Sequence, residues 1–122
     1  MKILKEYLSY IQHEQITGYF NYMEDRMKIM QKHNVGMSAC FNRTKKITDK
    51  FKRGLSLYNC EIGILNRTIE QLSSAKDKCN NTQFPEKCEQ FYDQLVPKFQ
   101  WKIKFNTEQI NNIKRKAGMI KY

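Results

Sequence analysis

The residues of this 122-residue chain whose chemistry is most tightly limited by spacing are its four cysteines, Cys40, Cys60, Cys79 and Cys88. No two of them form a CxxC pair. The two histidines, His13 and His33, are distant in sequence, so zinc-finger spacing is absent and no metal site is expected. The chemistry that remains is disulfide formation, for which four thiols allow three connectivities. Cys79 and Cys88 flank Asn80-Asn81-Thr82-Gln83-Phe84-Pro85-Glu86-Lys87, a turn-rich stretch that brings its ends together. That favours a Cys79–Cys88 bridge and leaves Cys40 with Cys60. The competing reading is four reduced, buried thiols in a cytosolic protein.

Other reactive constellations are sparse. His13 adjoins Glu14, but neighbours on a helix point in different directions and form no dyad. There is no Gly-rich phosphate loop, no GxSxG and no HExxH, so neither catalysis nor a cofactor is expected. Three N-x-T sequons, at Asn42, Asn66 and Asn80, are possible glycosylation sites and favour secretion. Glu6 interrupts any apolar run at the start, so the expectation is a mature secreted, extracellular form rather than a leader.

Charge is the other chemical signal. The chain carries 22 Lys+Arg against 12 Asp+Glu, for a formal charge of +10. Residues 1–36 contribute +1, 37–53 contribute +5, 54–93 contribute −2 and 94–122 contribute +6. Two basic blocks hold the excess. The first is Arg43, Lys45, Lys46, Lys50, Lys52 and Arg53; the second is Lys98, Lys102, Lys104, Lys114, Arg115 and Lys116, with Lys121 beyond. They read either as a footprint for an acidic partner (protein, glycosaminoglycan or nucleic acid) or as solvated faces that keep a small domain soluble. The interleave Phe99-Gln100-Trp101-Lys102-Ile103-Lys104-Phe105 could stack single-stranded bases. Aromatics at that density on a helix more often form core, and bridged cysteines argue against a nucleic-acid partner.

These residues must be positioned by helices. Only five Gly and two Pro argue against a sandwich or barrel, and no apolar run reaches the roughly 20 residues of a membrane span. The expectation is one all-α domain over residues 1–122, a compact, disulfide-stabilised bundle of about four helices arranged as hairpins. Leu4, Leu8, Ile11, Tyr19, Met23, Met27 and Met30 mark a helix from Lys2 to about Lys32, which Asn34-Val35-Gly36 should stop. Ser38 can cap the next helix. Cys40 and Cys60 would stand about 30 Å apart on one straight helix, so a bridge between them demands a break. Lys50-Phe51-Lys52-Arg53-Gly54 resembles a helix end and predicts two helices, 38–52 and 56–78. Pro85 suits the first turn of a last helix. Pro97 should kink it, and Asn106-Thr107-Glu108-Gln109 could restart it after a local break. The period-two alternation from Phe99 to Phe105 reads as a strand in isolation, but no second strand exists to pair with it, so it too is expected to be helical.

The aromatic first helix, Glu6-Tyr7-Leu8-Ser9-Tyr10 through Tyr19-Phe20-Asn21-Tyr22-Met23-Glu24-Asp25-Arg26, and the order of the four cysteines resemble the anophensin/albicin group, small salivary proteins of blood-feeding anopheline mosquitoes. The resemblance implies a disulfide-linked helical fold. It also implies inhibition of host plasma defence, at the alternative-pathway complement convertase or at contact activation of the kinin system. The partner expected is then a host plasma protein or protease complex; the basic blocks add an anionic polysaccharide as an alternative. Two other functions fit the residues: a carrier whose Tyr and Met side chains line a cavity for a small apolar ligand, and a secreted helical signalling factor.

Overall fold

The computed structural model describes residues 20–81 and 85–118. Three α-helices carry them: α1 (Phe20–Thr44), α2 (Lys50–Lys76) and α3 (Pro85–Lys116), with a short 3-10 turn, Asp77–Asn81, between α2 and α3. The described residues form no strand, and the alternating Phe99–Phe105 stretch lies inside α3. The first part of the expected first helix, residues 2–19, lies outside the described residues, as do Tyr7, Tyr10, His13 and Lys121.

α2 is the central element. It runs antiparallel to α1, and their contacts step along both helices: Cys40 to Cys60, Gly36 to Ile64, His33 to Thr68 and Asp25 to Lys78. Antiparallel contacts to α3 do the same, from Gly54 against Ile113 through Glu61–Asn106 to Lys76–Asp93. α1 and α3 therefore run parallel on its two flanks and meet through side chains: Arg26 lies 4.0 Å over the Phe91 ring, and His33 packs 4.8 Å from Phe99.

Two disulfides fix this arrangement. Cys40–Cys60 ties α1 to α2, and Cys79–Cys88 ties the 3-10 turn to the first turn of α3, with Cα separations of 5.7 and 5.5 Å. The buried cluster of Ile29, Leu72, Ala75, Cys79, Cys88 and Tyr92 surrounds the second bridge, with Phe91, Leu95, Val96 and Phe99 packed against it. The apolar core thus sits at one end of the bundle, and the first bridge clamps the other half.

The helix boundaries differ from the sequence expectation, and the two interior glycines explain why. No separate helix spans 38–52; its residues are divided between α1 and α2, and the break falls at Lys45–Asp49. α1 passes straight through Gly36, where a Cβ would meet Ile64 at 2.8, 3.0 and 3.2 Å, so glycine here permits close approach of α2 instead of ending a helix. Gly54 lies inside α2, with its missing Cβ 2.7 Å from Ile113 Cδ1. The true start of α2 is set by Asp49, whose carboxylate accepts from Phe51 N and Lys52 N at 2.9 and 3.1 Å. Thr44 closes α1, its buried hydroxyl donating to Cys40 O at 2.8 Å. α3 begins at Pro85 as expected and is not ended at Pro97, which lies inside it. Nor does it break at Asn106, which is fully buried against α2 rather than capping a new helix.

The glycines give an ordered expectation. Gly63 has nothing within 4 Å of its Cβ position, so Gly63→Ala should raise stability by about 1 kcal/mol through helix propensity. Gly36→Ala gains the same term but must displace a β-branched side chain, an overpacking cost of about 1–3 kcal/mol, so its net effect should be loss. Urea unfolding of both variants checks the order, and a Gly36→Ala protein as stable as Gly63→Ala would remove close approach as the reason for that glycine.

Candidate functional site: a cationic pole and an aromatic ledge

The antiparallel register places the end of α1, the start of α2 and the end of α3 at one end of the bundle. The packing of Gly54 against Ile113 fixes this, because it sets the last turn of α3 beside the first turn of α2. All six members of the first basic block, Arg43, Lys45, Lys46, Lys50, Lys52 and Arg53, are exposed there. The second block divides. Lys114, Arg115 and Lys116 join the pole, whereas Lys98, Lys102 and Lys104 lie midway along α3. Lys121 is outside the described residues.

Nine cations therefore share this pole with a single carboxylate from the same segments, Asp49, and that carboxylate is engaged in capping α2. Hydrogen bonds to Lys52 N and Phe51 N, with Lys52 and Arg53 nearby, hold the Asp49 carboxyl below its usual range. Arg43 turns back on its own fold, reaching Cys60 Sγ at 3.1 Å, and Arg53 donates to Ile47 O at 3.1 Å. The ion pairs Lys28–Glu24, Lys76–Asp93 and Lys78–Asp25 lie away from the pole.

A second feature occupies the outer face of α3. Trp101, the one tryptophan of the chain, is 65% exposed. It stacks on Phe105 with ring centroids 5.7 Å apart and planes 16° apart, and Lys102 Nζ lies 4.9 Å over the same Phe105 ring. Lys98 and Lys104, three residues to either side, share the face of Trp101 on a helix. The expectation that this aromatic run forms core holds for half-buried Phe99 but not for Trp101. A signal for the difference exists in the sequence: Phe91, Leu95, Phe99, Ile103 and Ile110 form the apolar stripe of α3, and Trp101 falls outside it.

Between the helices the polar contacts are structural. The Thr68 hydroxyl donates to Ile64 O at 2.8 Å, so its oxygen accepts from His33 Nδ1, 3.0 Å away. Burial lowers the His33 pKa, consistent with the neutral Nδ1–H tautomer in this position. Buried Asn106 donates to Glu61 Oε1 at 3.1 Å. The threonines of the sequons at Asn42 and Asn66 are the buried Thr44 and Thr68, while Asn42, Asn66 and Asn80 themselves are exposed.

Two grooves between α1 and α2, of about 400 and 440 Å³, are lined mainly by polar side chains, among them Asp25, Lys28, Lys32, Glu70 and Arg67. Of the Tyr and Met side chains expected to line a ligand cavity, Met27 is exposed. Tyr7, Tyr10 and Tyr19 lie outside the described residues. Among the described residues no cluster of His, Cys, Asp and Glu could hold a metal ion, and no helix is long and apolar enough to cross a membrane. No protein-family model, curated protein or solved structure matches the chain.

Two outcomes follow from this geometry. Replacing Cys40 and Cys60 by Ser should cost about 3 kcal/mol. That loss should shrink as salt shortens the screening length from about 10 Å at 0.1 M to about 3 Å at 1 M, because the bridge restrains helices that carry the pole. The Cys79/Cys88 double variant, at the end where charges are paired, should show no such salt dependence in denaturant unfolding. Equal salt responses in the two variants would contradict a restraining role. His33 gives a pH signature. Its pKa in the folded chain lies below the unfolded value of about 6.5, so the unfolded chain takes up the proton first. The His33 contribution is complete above that value and is lost as pH falls toward the folded pKa. Relative to His33→Gln, the native protein should lose stability on acidification below about pH 6.5 and show a constant difference above it.

Proposed function

We propose that this chain is a secreted, non-catalytic binding protein that inhibits a host plasma-defence cascade by protein–protein contact. The cascade is the alternative-pathway complement convertase or contact activation of the kinin system. The observation that supports contact through a helical face is Trp101. A large aromatic left 65% exposed, backed by Phe105 and flanked by cations, has the makings of an interface anchor. Tryptophan is prominent among residues that dominate binding energies, and here the stacked ring limits its freedom before any partner arrives. Lys98, Lys102 and Lys104 complement an acidic partner and raise the rate of encounter. The two disulfides are compatible with an oxidising, extracellular setting. The choice of plasma defence rests on the resemblance of residues 6–26 and the cysteine order to the anopheline salivary group.

The test is inhibition of alternative-pathway haemolysis and of kallikrein generation in plasma by the disulfide-bonded protein. Inhibition of one cascade at micromolar concentration or below is expected. Trp101→Ala should weaken it about 30-fold, equivalent to ~2 kcal/mol at an anchor residue, with helicity unchanged by circular dichroism. No inhibition of either cascade at micromolar protein would dismiss the proposal.

A further inference from the structure

We propose that the cationic pole is a binding site for a sulfated polysaccharide chain, separate from the Trp101 ledge. The inference rests on the extracellular setting proposed above but not on inhibition of any cascade.

Part of the charge has a structural explanation, and part does not. Arg43 in the last turn of α1, and Lys114, Arg115 and Lys116 in the last turn of α3, face helix C-termini, where cations are favourable. Lys50, Lys52 and Arg53 face the opposite situation. They occupy the first turn and a quarter of α2, the positive end of its dipole, where the turn itself holds no acidic residue and the N-cap Asp49 supplies a single carboxylate. Lys45 and Lys46 add to them from the connecting loop. Lys50, Lys52 and Arg53 are placed against the dipole of α2, Lys45 and Lys46 stand just past the end of α1, and the register brings three more cations beside these five. Among the described residues, none of Lys45, Lys46, Lys50, Lys52, Lys114 and Lys116 has an ion-pair partner. The nearest other carboxylates give little relief, since Glu61 is held by Asn106 and Glu108 lies nearly two turns back along α3. A high density of unpaired like charge is a standing repulsion that a polyanion would remove.

The type of charge narrows the ligand. Six of the nine cations are lysines, point charges on flexible stems with no fixed bidentate geometry, and the forks of Arg43 and Arg53 are already turned toward the chain's own atoms. Such a surface suits a linear chain with closely spaced anionic groups that can be met in several registers. It suits a defined constellation of carboxylates on a folded protein less well. The stacked pair Trp101–Phe105 is remote, with Trp101 about 18 Å along α3 from Ile113, and the aromatics at the pole, exposed Phe41 and half-buried Phe51, are single rings rather than a stacked platform for bases. With bridged cysteines, the linear polyanion the protein would meet is a sulfated polysaccharide.

The test uses the full disulfide-bonded chain and a heparin dodecasaccharide at 150 mM salt, followed by titration calorimetry. Binding is expected. It should fall about tenfold or more in a Lys45→Gln/Lys46→Gln/Lys50→Gln/Lys52→Gln variant, with the slope of log affinity against log salt flatter by roughly 0.7 for each lysine–sulfate pairing removed. A Lys28→Gln/Lys32→Gln/Lys98→Gln/Lys104→Gln variant has the same net charge and should bind nearly as the native chain does. Circular dichroism checks that both variants are folded, and desulfated heparin should bind far more weakly. Equal losses in the two variants would reduce the effect to net charge and overturn the site. So would absence of binding, or equal affinity for a DNA duplex at the same salt. Heparin binding without plasma inhibition would leave this site standing and remove the function proposed above. Plasma inhibition without heparin binding would do the reverse.

Discussion

The bridge between Cys40 and Cys60 joins α1 to α2 just below the end where their charges repel. Cys40 lies four residues before the end of α1, and Cys60 lies within the third turn of α2. Above this clamp the chain reverses through Lys45–Asp49 and presents cations on both sides of the turn. The apolar cluster around Tyr92 is at the other end and contributes little to holding the turn closed. Covalent closure of a short loop, a single capping carboxylate at Asp49 and the buried Thr44 hydroxyl therefore maintain a geometry that the side chains at its tip oppose. Reversal of the chain here is also what returns α2 toward the core, so the packing of α3 depends on it in turn.

The interior is assembled from a few polar contacts set in an otherwise apolar seam. Asn106 reaches Glu61, and His33 reaches Thr68 while resting on Phe99. Each joins two helices at one register, and a shift of either helix by a turn would leave a buried polar group unpaired at a cost of about 1–3 kcal/mol. Gly36 and Gly54 add a steric form of the same restriction, because the side chains of Ile64 and Ile113 fill the space a Cβ would occupy at those positions. Register matters beyond stability, since it determines which parts of the second basic block reach the pole and which stay on the side of α3.

Much of this is legible in the sequence. The all-α class, the start of α3 at Pro85 and the cysteine pairing with its enforced chain reversal follow from periodicity, proline chemistry and helix length. The place of the reversal does not, because a glycine after lysines looks the same whether it ends a helix or admits a neighbouring one. Gly36 and Gly54 are the second kind, and distinguishing them needs Ile64 and Ile113, which are distant in sequence. Asp49 is the available signal for the true helix start, and the Gly54 pattern outweighs it when the chain is read in one dimension. The unity of the pole is hidden for a related reason: Arg53 and Lys114 are separated by nearly all of α2 and nearly all of α3. Trp101 is easily misjudged because a run of aromatics suggests a core unless each member is placed against the helical stripe.

With α3 alone about 48 Å long at 1.5 Å per residue, the described helices make a rod with its densest positive charge at one tip and the ion pairs Lys28–Glu24, Lys76–Asp93 and Lys78–Asp25 toward the other. An extended negative surface exerts a torque on such a rod and turns it tip-down before contact. The protein would stand upright on that surface rather than lie along it. In that posture Trp101 is lifted clear by about a dozen residues of helix and faces sideways into solution, so one molecule can be held by its end and still offer its flank.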